Sequence, residues 1–176
     1  MADAAYQAHE KRIRRELVQA GVSLYGLLKA ESRYLPRVIY DEEYIHAVAY
    51  GQHNSSSAML IATDQRVIYL DKKPMATIMD EVTYEVVSGI EMEVHTFFAT
   101  VTLHTAVTNY KMRYVNIRCA DTFTRFIEDQ KVRKFLQQNE AAENLDTKKI
   151  VEAVKNDLAG YYWIPREEEK EKASII

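Results

Sequence analysis

Residues 58–69 read Ala-Met-Leu-Ile-Ala-Thr-Asp-Gln-Arg-Val-Ile-Tyr, two apolar runs separated by a short polar turn. The side chains of Thr63 and Asp64 can accept hydrogen bonds from nearby backbone amides and so close a tight turn. Short apolar runs on either side of such a turn are typical of paired strands. We therefore expect a β-hairpin with strands over 57–63 and 66–71.

Alternation of apolar and polar residues continues the strand pattern on both sides of this hairpin. One strand is expected over 45–50, and four more alternating segments follow, over 82–86, 90–94, 97–103 and 110–114. Gly89 permits a bulge or a turn within this stretch. Seven short strands at this spacing are typical of a small barrel or sandwich.

A helical period precedes the strands. Apolar residues at 13, 17, 20, 24 and 27 form one stripe of a helix over 5–34, in which Gly21 and Gly26 favour a kink or a break. Leu35-Pro36 ends the helix, because the residue before proline disfavours helical backbone. The helix either packs on its own domain or forms a helical hairpin or self-association seam.

Two further helices are expected after the strands. Asp121 is a suitable N-cap for a closing helix whose apolar face would plug an open end of the barrel. That face is formed by Phe123, Phe126, Ile127, Val132, Phe135 and Leu136. A last helix is expected to begin near Asp146 and to end at Gly160.

The chain thus divides into three parts. These are an N-terminal helical segment (1–40), a strand unit with its closing helix (41–138), and a C-terminal helix with a charged tail (139–176). The total of 176 residues suffices for one domain with such additions and not for two full domains.

Composition limits the classes of protein to which the chain can belong. A formal net charge of −3 argues against nucleic-acid binding that is driven mainly by electrostatic attraction. The single cysteine, Cys119, allows no intrachain disulfide and is typical of a small buried residue. The N-terminus lacks an apolar signal segment and the longest apolar run has five residues, so we expect a cytoplasmic location.

Tyrosine is unusually frequent, with 12 tyrosines against 5 phenylalanines. Strand phasing places Tyr84, Tyr110 and Tyr114 with the apolar faces, so these three are expected in the core. A second aromatic group follows the strands and consists of Tyr161, Tyr162 and Trp163. It packs back on the barrel, contacts a partner or second subunit, or rests at a membrane interface, since Tyr and Trp tolerate both burial and water.

No pattern of residues that carries catalysis emerges. The five glycines are isolated, which excludes a glycine-rich phosphate loop, and Cys119 has no base beside it in the sequence. His95 and His104 on neighbouring strands would form a metal site only with a third ligand such as Glu93, and exposed, solvated histidines explain the pattern better. We therefore expect no catalytic residue, no cofactor, no metal and no enzymatic activity.

Four basic residues near strand ends form a candidate binding patch. They are Lys72, Lys73, Lys111 and Arg113. The four would make one anion-binding or partner-binding surface if their strand ends meet, and are otherwise solvated charges. A surface for single-stranded nucleic acid requires exposed aromatic side chains beside the basic groups, whereas most tyrosines here are in core phase. A nucleic-acid partner is therefore not expected.

Several stretches of this pattern resemble a known family. Leu35-Pro36, Asp41-Glu42-Glu43 before a strand, the hairpin at 58–69 and the segment 82–90 are similar to the bacterial pleckstrin-homology domains of the YokE-like type. The similarity covers about 35–137, and Thr63–Tyr69 is its most specific part. The resemblance implies an α+β fold, a seven-stranded PH-like bent β-barrel capped by a C-terminal helix, here with flanking N- and C-terminal helices.

The same resemblance implies a binding module and not an enzyme. Such domains bind proteins or, in eukaryotic relatives, phosphoinositide headgroups through basic residues around the first strand–strand loop. Residues 52–57 of this chain contain no Lys or Arg. We therefore expect a scaffold that mediates protein–protein interaction or assembly in the bacterial cytoplasm, with self-association through the flanking helices as one form of assembly. The alternative is a peripheral adaptor at the inner membrane face that binds anionic lipid headgroups through the four basic residues.

Overall fold

The computed structural model describes residues 2–159, with side chains described for residues 4–137 and for Asn139. The N-terminal part contains helices α1 (Ala2–Gln19), α2 (Leu24–Leu27) and α3 (Ala30–Tyr34), then a 3-10 turn over Leu35–Arg37. The strands are β1 (Ile45–His53), β2 (Ser56–Thr63), β3 (Arg66–Lys72), β4 (Thr77–Thr83), β5 (Val87–Val94), β6 (Ala99–Thr105) and β7 (Asn109–Val115). Helix α4 spans Ile117–Ala159, and the compact unit that contains all seven strands ends at Lys134.

The seven strands are antiparallel and form a curled half-barrel in the order β4-β3-β2-β1-β7-β6-β5. The strand groups β1–β4 and β5–β7 meet where Gln52 of β1 pairs with Arg113 of β7. Gly51 permits this close crossing, because a Cβ at that position would lie 2.3 Å from the carbonyl oxygen of Arg113. The expected fold, a bent seven-stranded barrel with helices on both sides, is confirmed.

The β2–β3 hairpin is buried on both faces. Leu60 and Tyr69 face the interior of the half-barrel, while Ile61 and Ile68 pack against the N-terminal helices. Burial on both sides explains why the two strands are continuously apolar and do not alternate.

The N-terminal helix packs on the outer face of this hairpin. Ile13 and Leu17 of α1 are buried in the same core as Ile61 and Ile68. The chain then breaks at Gly21, whose φ is +88°, as the sequence predicts. The break turns Leu24 out to solvent, so the apolar stripe does not continue through this residue.

Helix α4 differs from the expectation at its start and in its length. Asn116, and not Asp121, is the cap, because its Oδ1 accepts hydrogen bonds from the amides of Arg118 (3.0 Å) and Cys119 (3.4 Å). Phe123 is fully buried under the half-barrel, as a closing helix requires. The helix then continues unbroken to Ala159, so the prediction of a separate helix beginning near Asp146 is wrong.

Two expectations about the strands also need correction. Tyr84 and Tyr110 are buried, but Tyr114 is 57% exposed and has a φ of +59°, so its side chain leaves the alternation. The segment 82–86 is not one strand, because β4 ends at Thr83 and a 3-10 turn follows over Tyr84–Val86. The candidate residues Tyr161, Tyr162 and Trp163 lie outside the described residues.

Candidate functional site

The polar turn of the β2–β3 hairpin is the centre of a buried ion-pair network. Arg66 donates from Nε to Glu43 Oε1 and from Nη2 to Glu43 Oε2, both at 2.9 Å, and it also pairs with Glu81 of β4. Glu43 is fully buried and Arg66 nearly so. Such a two-pronged pair fixes the relative position of the chain before β1 and the start of β3.

Thr63 and Tyr84 complete this network. The Thr63 hydroxyl donates to Glu43 Oε1 at 2.8 Å and accepts from the Arg66 amide at 3.0 Å. The Tyr84 hydroxyl donates to the carbonyl oxygen of Thr63. At the neighbouring position, Asp64 Oδ1 accepts from the Tyr44 amide at 2.8 Å. Thr63, Asp64 and Arg66 are therefore occupied by contacts inside the protein, and the turn serves the fold.

Charged groups of α1 join the N-terminal segment to the same region. Arg12 donates to the carbonyl oxygens of Glu43 and Tyr40, both at 2.9 Å. Glu16 Oε2 accepts from the Ile45 amide at 2.9 Å, at the start of β1. The helix is thus held to the sheet by polar contacts as well as by its apolar stripe.

The ionisation of Glu43 follows from these contacts. Burial by itself would raise the pKa of Glu43, but hydrogen bonds from Arg66, the Tyr40 amide and Thr63, with the charge of Arg66, hold it below its ordinary value. Burial likewise disfavours the charge of Arg66, yet Glu43 and Glu81 hold the Arg66 pKa above its ordinary value. Both groups are charged at neutral pH.

Glu43 should therefore contribute to acid denaturation. Its stabilising contribution is present above the ordinary carboxyl pKa of 4.5 and is lost as the pH falls through the lower folded-state value. We expect the free energy of unfolding to fall less steeply below pH 4.5 in Glu43→Gln than in the parent chain. Urea titrations at a series of pH values measure this, with Glu42→Gln at the exposed neighbouring position as the control. Equal acid slopes in the parent and Glu43→Gln would refute the assignment.

Strand direction places the β1–β2 turn (54–55) and the β3–β4 turn (73–76) at the opposite end of their strands from the Thr63–Arg66 turn. We call these two turns, together with the start of β7 (109–113), the loop end. His53 Nδ1 lies 3.1 Å from the carbonyl oxygen of Lys111, which brings the start of β7 beside the end of β1. The loop end is therefore built from both strand groups.

Aromatic side chains fill the interior of the half-barrel at the loop end. The rings of Tyr69 and Tyr110 lie 5.1 Å apart, and His53 packs edge-on against Tyr69 at 5.3 Å. The Tyr110 hydroxyl lies 3.1 Å from Asp80 Oδ2 on β4. Burial, followed by the charge of Asp80, raises the pKa of Tyr110 to about 12, so it is a neutral donor. Contacts made at this end therefore use the outer surface and the turns.

The four basic candidates lie on two sides of this loop end. Lys72 ends β3 and Lys73 follows it, whereas Lys111 and Arg113 lie on β7, with β2 and β1 between the two pairs. Continuing the strand register places Lys72, Ser57, Gln52 and Arg113 in one row on the outer face. The row spans three strand spacings, about 14 Å.

The two pairs of basic residues, Lys72 with Lys73 and Lys111 with Arg113, differ in their contacts. Lys73 Nζ lies 3.3 Å from Asp71 Oδ2, and Lys72 Nζ lies 5.6 Å from the centre of the Tyr34 ring. Lys111 and Arg113 are exposed, and within the described part of the chain neither forms an ion pair. The structure thus brings the β7 pair together at the surface and engages Lys73 elsewhere.

Two turns carry an exposed apolar side chain at the tip. The β3–β4 turn belongs to the loop end, whereas the β6–β7 turn is bonded elsewhere, since the Ala106 amide donates to the carbonyl oxygen of Val86. Met75 in the β3–β4 turn is 98% exposed, and Val107 in the β6–β7 turn is 92% exposed. Sequence reasoning missed both, because an isolated apolar residue in a turn has no periodic signal. The one indication in the sequence is that Met75 and Val107 each lie within a turn between two strands.

The histidines do not assemble into a metal site among the described residues. His104 Nε2 lies 3.4 Å from Glu91, while His95 lies in the β5–β6 turn near Thr100. His46 stacks on Phe126 with the ring centres 4.8 Å apart. Within residues 2–159, no helix has the length and apolar character needed to cross a bilayer.

Comparison with known proteins identifies a family relationship. The family model described as "Bacterial PH domain" matches residues 39–129. A solved DUF1696 family protein with a pleckstrin-homology domain, from Shewanella loihica PV-4, is 20% identical over 58% of this chain and 90% of that chain, with a TM-score of 0.34. A solved pleckstrin homology domain from Shewanella amazonensis SB2B is 17% identical over 61% of this chain and 96% of that chain, with a TM-score of 0.36. No curated protein matches the chain.

Proposed function

The chain belongs to the bacterial PH domain family, and on that premise we propose that it is a non-enzymatic binding module that recognises a protein partner at its loop end. The observation that carries this proposal is the exposed apolar tip Met75 at the same end as Lys111 and Arg113, two exposed cations that form no ion pair within the described residues. Apolar side chains combined with charged groups are typical of a protein recognition surface.

The contacts of the family's most specific turn support a surface site. Thr63 and Arg66 are engaged with Glu43 inside the protein, so they are not available to a ligand. The same turn is the basis on which we assign the chain to the YokE-like type within the family. We therefore assign recognition of a partner to surface groups that are not engaged inside the protein.

A protein surface fits the loop end better than a membrane surface does. Each Lys or Arg near an anionic leaflet contributes about 1 kcal/mol, so Lys111 and Arg113 supply about 2 kcal/mol. The net charge of −3 opposes approach to such a leaflet, and the β1–β2 turn adds no Lys or Arg. A protein partner with carboxylates facing the two cations and a pocket for Met75 satisfies both kinds of group.

The remaining assignments follow this proposal. The binding unit is residues 41–138, flanked by the helical segment 1–40 and the segment 139–176, and it acts in the cytoplasm without cofactor, metal or nucleic acid. Tyr161, Tyr162 and Trp163 are proposed as additional partner contacts. Lys72 and Lys73 border the loop end, and we propose that they contribute to the binding of an acidic partner. Self-association through the flanking helices is a further form of assembly.

Charge reversal at the loop end tests the proposal. The Lys111→Glu, Arg113→Glu double variant should no longer retain, from lysate of the cell of origin, a protein that the parent chain retains. Lys11→Glu with Arg15→Glu reverses two exposed charges of α1 and is the matched control, which should retain that protein. Loss of the protein in both variants, or in neither, would exclude the loop end as the recognition surface.

Vesicle sedimentation separates the two kinds of partner. The parent chain is expected to remain in the supernatant with vesicles of anionic lipid as well as with vesicles of neutral lipid. Salt-sensitive pelleting with anionic vesicles, abolished by reversing Lys72, Lys73, Lys111 and Arg113 together, would replace this proposal with the peripheral membrane adaptor.

A further inference from the structure

A cavity of about 180 Å³ lies between the N-terminal segment and the half-barrel. Its walls come from the connection between α1 and α2, from the middle of β1, and from the junction of β7 with α4. The polar or conformationally unusual lining residues are Gly21, Ser23, Tyr50, Tyr114, Asn116 and Cys119. None of the loop-end residues takes part, so this site is independent of the proposed function.

The Tyr50 hydroxyl is the first sign that the cavity is built for an occupant. This oxygen is buried, and among the described residues it has no hydrogen-bond partner. Buried hydroxyl groups in folded proteins are normally paired, because an unpaired one loses its bond to water without replacement. A molecule in the cavity with one polar group would supply the missing partner.

The backbone of Tyr114 is the second sign. Its φ of +59° lies in the left-handed region, which a bulky side chain rarely occupies and which carries a conformational cost. The Tyr114 ring packs against Phe98 with the ring centres 4.8 Å apart, and the residue lines the cavity. Outliers of this kind cluster at ligand sites, where the surroundings hold them.

Cys119 adds a neutral polar group to the wall. Its Sγ lies 3.4 Å from the carbonyl oxygen of Gly21, and burial raises the pKa of the thiol. Val22 and Val48 add apolar surface, and no Lys, Arg, Asp or Glu lines the cavity. A charged ligand would therefore lie against walls that offer no opposite charge, which is unfavourable.

We propose that this cavity binds a small neutral molecule with an apolar body and one hydrogen-bonding group, which pairs with the Tyr50 hydroxyl. The volume sets the size, because a cavity of about 150 Å³ accommodates benzene in another protein. Phenol has this size and this chemistry, and serves as the probe. Benzene has the same body without the polar group, and serves as its matched comparison.

The experiment is a titration of the isotope-labelled full chain with phenol, followed by NMR of the backbone amides. A ligand this small binds weakly, so the titration extends to about 10 mM. We expect saturable shifts at residues 21–26, 48–50 and 114–119. The Tyr50→Phe substitution should weaken the binding of phenol about two- to tenfold, which is the effect of one neutral hydrogen bond. It should leave the binding of benzene unchanged.

Tyr25→Phe is the control, because the Tyr25 hydroxyl is bonded to Lys29 Nζ at 2.8 Å and does not line the cavity. It should leave phenol binding unchanged. Saturating phenol should also slow alkylation of Cys119 in the parent chain, a readout that needs no variant. Absence of saturable shifts at the cavity residues, or equal effects of the Tyr50 and Tyr25 variants, would overturn the proposal and indicate a cavity that holds only water.

Discussion

Arg66→Met is expected to lower the free energy of unfolding by about 3–5 kcal/mol, because removing one partner of a buried ion pair leaves the other uncompensated. Glu43 has no exposed surface, and two nitrogen atoms of Arg66 bond its two carboxylate oxygens. Methionine fills most of the volume of the arginine stem but supplies neither donor. Urea denaturation of the parent and the variant measures the difference.

Two companion variants isolate the buried charge as the cause. Arg66→Met combined with Glu43→Leu should recover at least half of the loss, since replacing a buried pair by apolar groups is often near neutral. Arg125→Met removes an exposed partner of Asp121 on α4 and should cost about 0.5 kcal/mol or less. A loss below about 1 kcal/mol for Arg66→Met would mean that the pair does not behave as buried.

Phe123→Ala is the second large expected loss, about 3–5 kcal/mol, because the ring is fully buried where α4 closes the half-barrel. The substitution removes apolar surface from the core and leaves a cavity that the rigid sheet cannot fill. Val132→Ala on the same helix is the control, since Val132 is exposed and should change stability by about 0.5 kcal/mol or less. Similar losses in both variants, measured by urea denaturation, would show that Phe123 does not anchor the helix.

The strand framework could be predicted because its signal is local. The β2–β3 hairpin and β6 follow directly from apolar runs, a polar turn and alternation. Strand β4 is the exception, because its first five residues, 77–81, are all exposed and form no buried apolar face. Alternation at 82–86 predicts one strand, whereas β4 ends at Thr83 and a 3-10 turn follows over Tyr84–Val86.

Other errors arise where one residue changes the backbone direction. Alternation predicts Tyr114 in the core because it assumes extended backbone, but the left-handed φ of this residue rotates its side chain outward. Asp146 has the chemistry of an N-cap, but an aspartate also occurs within a helix when the hydrogen bonds of the preceding turn continue. Neither outcome can be deduced from residue type alone.

The polar network could not be predicted from sequence, because its members are distant along the chain. Glu43, Arg66 and Glu81 meet only through the register of β3 and β4 and the entry to β1. An arginine within an otherwise apolar hairpin was the one available signal, since such a residue needs a buried partner. The sequence identifies the basic candidates, but the fold decides that Lys73 pairs with Asp71 while Lys111 and Arg113 form no ion pair within the described residues.

Recognition at the loop end is best examined by the dissociation constant of the retained protein, measured for the parent chain and for the two charge-reversal variants. Lys111→Glu with Arg113→Glu should weaken binding at least about tenfold, which corresponds to about 1.4 kcal/mol. Lys11→Glu with Arg15→Glu should change it by less than about twofold. Equal weakening by the two variants, or an unchanged constant in the loop-end variant, would be incompatible with recognition of a protein partner through this surface.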